Sequence, residues 1–209
     1  MKYQEVLQKD DFKKCLEFHG HLCPGLAIGY KASLAGLEWL REKRAPDEEL
    51  LAIVETDACA ADAVQVLTGC TFGKGNFMFS DYGKNALTFV SRRSGRGVRV
   101  ALAAGAFQPN ERHMELIKKI REETATDEER LEFQVLHDQR SYEILEKDPA
   151  ELFVMKSLEL EVPAKARMEP SRPCTFCGEP TMGSKLEKKG EALVFRGCIE
   201  KGAGGFRGI

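Results

Sequence analysis

Pro24-Gly25-Leu26-Ala27-Ile28-Gly29-Tyr30-Lys31-Ala32-Ser33-Leu34-Ala35-Gly36-Leu37 carries two stripes at once. Leu26, Tyr30, Leu34 and Leu37 recur at helical spacing and Pro24 suits a first helical position, which predicts a helix from about Pro24 to Lys43. Gly25, Gly29, Ala32 and Gly36 form a second line, of small residues. Glycines weaken a helix, so this line predicts that another backbone approaches closely there, from a sheet, a helix or a partner copy of the chain. Ala45-Pro46-Asp47 ends the helix, and Leu50 to Thr56 reads as a buried strand. Asp57 suits the cap of a helix over Ala58 to Thr68, with Cys59, Ala63, Val66 and Cys70 along one face and Gly69 as its stop.

Three strands follow the loop Gly73-Lys74-Gly75-Asn76: Phe77 to Phe79, Leu87 to Phe89 and Val98 to Leu102, punctuated by Asp81-Tyr82-Gly83 and Ser94-Gly95-Arg96-Gly97. The order helix, strand, helix, three strands predicts an α+β fold with a mixed sheet covered by helices. Pro109 to Glu123 and Thr126 to Leu145 read as helices, the second opened by the capping-box pair Thr126 and Glu129. Asp148-Pro149 opens a short turn, and Leu158, Leu160 and Val162 alternate as a late strand. We expect a core domain over residues 1–162 and a proline- and charge-rich linker over 163–173. The small domain expected over 174–209 is too short to fold without a staple.

Composition removes whole classes of function. A chain of 209 residues, 43% hydrophobic, buries a real core, and a net charge of -2 gives no polyanion-binding signature, so neither nucleic acid nor an anionic membrane is expected as a partner. Met1 to Asp11 is charged and lacks an apolar core, and no apolar run reaches bilayer length; a soluble cytoplasmic protein is expected. Seven cysteines, an odd number, look like ligands and thiols rather than a disulfide framework.

The chemistry concentrates just before the first helix, in Phe18-His19-Gly20-His21-Leu22-Cys23-Pro24-Gly25. Read as an extended segment, it turns His19, His21 and Cys23 to one side. Cys23 becomes the helix cap, where the dipole favours a thiolate, and Cys59 falls in the first turn of the next helix with the same consequence. Taken singly, each is as readily a satisfied core histidine or a buried thiol. Three within five positions, in a chain with four histidines, point to a metal or reactive site. Zinc is the default ion for imidazole with thiolate, another transition metal the variant. His21, Cys23 and Cys59 make the best core set, with His19 a fourth ligand or a base behind the ligands. Asp62 and Gln65, about a turn beyond Cys59, either orient ligands or are solvated. Cys70 faces the same pocket or is a buried core thiol. The loop with Lys74 and Asn76 fails as a phosphate loop, because glycine follows the lysine and the loop leaves a helix; the two residues hold an anionic or carbonyl ligand, or form a plain turn.

A second set lies in the tail. Cys174-Thr-Phe-Cys177-Gly178 has the spacing of a zinc knuckle, and Cys198 is a natural third ligand. A second Cys-x-x-Cys would need cysteine at position 201, which is Lys201. Either the fourth donor is Glu200, water or a residue from elsewhere, or the finger is degenerate and metal-free.

The ordered motifs His19-Gly-His-Leu-Cys23-Pro-Gly, Asp57-Ala-Cys59-Ala-Ala-Asp62-Ala-Val-Gln65 and Leu67-Thr-Gly-Cys70-Thr-Phe-Gly-Lys74-Gly-Asn76 give a chain that resembles the FmdE family of formylmethanofuran dehydrogenase proteins over about Phe12 to Leu102. Its tail from Cys174 is similar to the treble-clef or ribbon-like zinc finger appended in many members, apart from Lys201. The resemblance implies an α+β core, frequent homodimers, and a metal near the histidine-cysteine motif. It also implies association with molybdenum or tungsten oxidoreductases that interconvert carbon dioxide and a formyl group on methanofuran. The expected function is a zinc-binding accessory or ligand-binding protein. The alternatives are a zinc- or thiolate-dependent enzyme acting on a small carbonyl compound, and a metal-handling or redox protein.

Overall fold

The computed structural model describes residues 2–107, 110–159, 162–165 and 169–201. It divides into two compact units, Met1–Lys165 and Ala166–Ile209. In the first, the order is α1 (Tyr3–Leu7), α2 (Asp10–His19), α3 (Pro24–Leu40), β1 (Leu50–Val54), α4 (Ala60–Thr68), β2 (Phe77–Phe79), β3 (Ala86–Ser91), β4 (Arg96–Leu102), α5 (Glu111–Arg121), α6 (Asp127–Glu146), α7 (Pro149–Leu152) and β5 (Phe153–Glu159). The strands form one mixed sheet in the order β2-β1-β3-β4-β5. Only β1 and β2 run parallel, as their helical connection through α4 requires; the remaining pairs are antiparallel. The α+β architecture is therefore the one the element order predicts.

α3 is the axis of this unit. It packs on α4, α6, β3 and β4, and is buried along most of its length, as a helix apolar on nearly every side must be. Its line of small residues meets two partners within the same chain. A β-carbon at Gly29 would lie 2.4 Å from the Ala60 carbonyl oxygen, and one at Gly36 would lie 2.3 Å from the Phe89 ring. The close neighbour is thus α4 near the N-terminal end and the sheet near the other. Lys31, the one cation on this buried helix, donates its ammonium to the carbonyls of Leu145 (3.2 Å) and Lys147 (2.6 Å), satisfying the end of α6.

Several boundaries differ from the sequence reading, for local reasons. α3 stops at Leu40 rather than Lys43, because Arg41 adopts φ 58. α4 begins at Ala60 with Cys59 as its N-cap, since the Thr56 hydroxyl already holds the Ala58 amide in a turn. α1 and α2 occupy the stretch read only as charged. They hold to the core through Val6, Phe12 and Cys15, with the Phe12 ring edge-on to Tyr30 at 4.8 Å. The expected strand over Leu158, Leu160 and Val162 is realised as β5, several residues earlier; Leu160 lies outside the described residues, as does Pro109 of the expected helix start. The Thr126–Glu129 capping box forms as predicted. Among the described residues, no helix is long and apolar enough to cross a membrane.

The second unit has two hairpins and a short helix: β6 (Ser171–Pro173) with β7 (Pro180–Met182), β8 (Leu186–Lys189) with β9 (Ala192–Phe195), then α8 (Arg196–Lys201). Its buried centre is Cys174, Val194 and Cys198. So little apolar surface holds a fold poorly unless the cysteines contribute more than packing.

The α3–α4 contact generates a test whose sign is diagnostic. In an ordinary helix interior Gly→Ala stabilises by about 1 kcal/mol. Here Gly29→Ala is expected to destabilise by roughly 1–3 kcal/mol, because its β-carbon meets backbone that cannot move cheaply. Urea unfolding of the two proteins decides it, and a stabilised variant would show that the helices do not approach this closely.

Candidate metal centre

The histidine-cysteine motif is folded rather than extended, and this decides which donors meet. His19 is the last residue of α2; Gly20 takes φ 92 and its amide donates to the Leu16 carbonyl at 2.8 Å. The chain then reverses into Cys23, the extended N-cap of α3 (φ -152, ψ 160), whose sulfur accepts the Leu26 amide at 3.3 Å. A segment broken by a left-handed glycine loses the alternation that would have aligned His19 with His21. Cys59 reaches the same place from α4, because the N-terminal ends of α3 and α4 touch at Gly25, where a β-carbon would lie 3.0 Å from that of Cys59.

The donors so gathered are His19, Cys23 and Cys59, whose ligand atoms all lie within 4.8 Å of one another. His19 Nε2 is 3.5 Å from Cys23 Sγ, while Nδ1 is 2.7 Å from Asp62 Oδ2. With its proton on Nδ1, held by that carboxylate, the ring presents the Nε2 lone pair toward the sulfur. Asp62 is thereby an orienting residue. His21 stands beside this set, its ring centroid 4.5 Å from that of His19. The other two histidines pair with each other between α5 and α6, His113 Nε2 to His137 Nδ1 at 3.2 Å.

The helix dipole alone would make Cys23 a thiolate, but burial is the larger effect and pushes its thiol up, with neighbouring Cys59 adding to the rise and the Leu26 amide opposing it. A cation arriving here must displace a proton. Cys70 lies past the far end of α4, whose nine residues span about 14 Å. It is fully buried, and burial raises its thiol too. Lys74 and Asn76 hold a loop: the Lys74 ammonium donates to the Asp47 carbonyl, and the Asn76 amide donates to Asp47 and Leu50 and accepts from the Thr71 amide. Asn76 is completely buried by these bonds.

In the second unit, Cys174, Cys177 and Cys198 likewise place their sulfurs within 4.8 Å of one another. Gly178, at φ 76, turns the knuckle and donates its amide to the Cys174 carbonyl at 2.8 Å. The backbone amides of Phe195, Cys177 and Phe176 hold the Cys174 thiol down to about 6, while Cys198, buried among the other sulfurs, is raised. Glu200 is occupied by the Arg196 guanidinium at 2.6 Å, and the Lys201 side chain lies outside the described residues.

Comparison with known proteins agrees with this arrangement. Residues 18–154 match the family described as FmdE, Molybdenum formylmethanofuran dehydrogenase operon. A probable S-adenosyl-L-methionine-binding protein of Archaeoglobus fulgidus is 35% identical over 181 residues, which make up 82% of this chain and 48% of that protein. The chain thus spans about half the length of this relative. The crystal structure of an FmdE-like protein of the tungsten formylmethanofuran dehydrogenase type from Syntrophus aciditrophicus is similar with a TM-score of 0.60 at 25% identity, covering 99% of this chain and 95% of that one.

Two expected outcomes follow from the geometry. Asp62→Asn should weaken zinc binding at the core about 10- to 100-fold by releasing the His19 ring, measured by chelator competition; unchanged affinity would remove Asp62 from the site. Core affinity should also rise with pH, because burial holds Cys23 protonated in the metal-free protein and uptake expels that proton; proton release on zinc addition reports it.

Proposed function

The chain belongs to the FmdE family, and on that premise we propose that it is a zinc-binding accessory protein whose core ion, held by His19, Cys23 and Cys59, keeps one position for a small ligand. The observation that carries this reading is the donor count. Structural zinc sites close with four protein ligands, whereas three ligands leave a place for an exogenous one. The donor chemistry fits the ion: two thiols and an imidazole are the borderline-soft set that zinc takes. Bound there, zinc would supply Lewis acidity at the open position. The chain's own part is to orient His19 through Asp62, to bury Cys23, and to hold Cys59 against the start of α3. The family's description supports a place beside a molybdenum or tungsten oxidoreductase of formyl-group metabolism, as a cytoplasmic homodimer. The tail, with zinc on Cys174, Cys177 and Cys198, would engage that partner.

One observation favours a second reading. Asp62, His19 and Cys23 form a chain at 2.7 and 3.5 Å, the order of orienting carboxylate, base and nucleophilic thiol. Without metal, this set suits a thiolate-dependent enzyme acting on a small carbonyl compound.

Cys59→Ser separates the two, since it removes a ligand while leaving that three-residue chain intact. In full-length protein with Cys174, Cys177 and Cys198 changed to serine, elemental analysis should find about one zinc per chain, falling toward none in Cys59→Ser. X-ray absorption should show two sulfurs, one imidazole and one light exogenous ligand. A fourth protein ligand would overturn the open-site reading. A metal-free core whose Cys23 alkylation slows in Asp62→Asn would replace it with the thiolate enzyme.

A further inference from the structure

A cavity of about 820 Å³ opens between α2, the C-terminal half of α3 and α4, apart from every metal donor described above. Its floor is apolar, made by Leu34, Leu37, Val66 and Leu67, with Phe18 at the side. Phe18 is 59% exposed, an unusual position for a large aromatic on a helix that otherwise turns its apolar residues inward. The volume suits an organic molecule and is far too large for a single ion.

The rim is unequal in charge. Lys14, Lys43 and Arg44 stand there with Asp11 and Glu17. Asp11 is already committed, accepting the Tyr30 hydroxyl at 2.9 Å and the Phe12 amide at 2.7 Å. Arg44 uses only its Nε, on the Val66 carbonyl at 3.0 Å, and its terminal nitrogens carry no bond among the described residues. Lys14 and Lys43 have no hydrogen bond or ion pair there either, which leaves three available cations facing one uncommitted carboxylate, Glu17.

We propose that this groove binds an amphipathic organic anion, a carboxylate or phosphate carried on an apolar body, with the body on the leucine floor and the head between Lys14, Lys43 and Arg44. The inference does not rest on the metal, because the groove uses neither the thiols nor the imidazoles.

Calorimetric titration of the full chain with decanoate, decyl phosphate, decanol and decyltrimethylammonium tests it. Saturable binding of about one decanoate or decyl phosphate per chain is expected, with the cationic amphiphile at least about tenfold weaker. The stronger of the two anions identifies the head group. Lys14→Glu with Lys43→Glu, both on exposed side chains, should weaken the anions at least about tenfold and leave decanol unchanged. Leu34→Trp should abolish binding by filling the floor, and if it misfolds the charge variant still decides. Three results would overturn the proposal: no saturable anion binding, equal binding of the cation, or anion affinity that survives the charge reversal. A wild-type dimer that Phe18→Glu dissociates, with no anion bound to either form, would likewise overturn it and assign the groove to a second copy of the chain.

Discussion

The close approach of α3 to α4 is the constraint on which the candidate centre depends. Two helices come together this tightly only where one of them lacks side chains, and Gly25 and Gly29 supply that face. The contact brings the N-terminal ends of both helices to one point. Cys23 caps one and Cys59 the other, so a packing decision becomes a placement of two sulfurs whose positions differ by 36 in sequence. The same juxtaposition directs two positive dipole ends at them, which favours thiolate once a cation offsets the burial that otherwise keeps Cys23 protonated.

The fold is largely legible because its elements are punctuated. Pro24, Gly69, the turn around Gly95 and the Thr126–Glu129 pair each act through local geometry, and local geometry is what a sequence states directly. The glycine line on α3 tells that a backbone comes close, but not which one. Two partners answer it, α4 at Gly29 and the sheet at Gly36, and neither distance is local.

At the site the sequence points to the right residue types but not to their arrangement. An extended path from His19 to Cys23 favours His21 as the partner of the two cysteines; a left-handed Gly20 reverses the chain and puts His19 there. A signal for this exists, since a glycine after an amphipathic stretch is a helix stop. It is weak here because the buried anchors of α2 are only Phe12 and Cys15, too few to mark the helix by pattern. Asn76 shows the opposite limit. Its role is set by the carbonyls of Asp47 and Leu50, more than twenty residues away, and nothing in Gly-Lys-Gly-Asn distinguishes a ligand loop from a clamp. The groove residues are likewise ordinary surface positions on three separate helices until the fold juxtaposes them.

The order β2-β1-β3-β4-β5 also settles how the sheet meets other chains. An open sheet presents two rows of unsatisfied backbone groups, and each invites pairing with a stranger. On one side the terminal strand, β2, has three residues, a template too short to nucleate a stable foreign strand. On the other, β5 is long, but Lys156 and Glu159 stand exposed along it, so that an incoming strand would have to bring its own backbone against fixed charges. The sheet that carries α4 and its cysteine into place therefore guards itself against edge-to-edge aggregation by brevity at one end and by charge at the other.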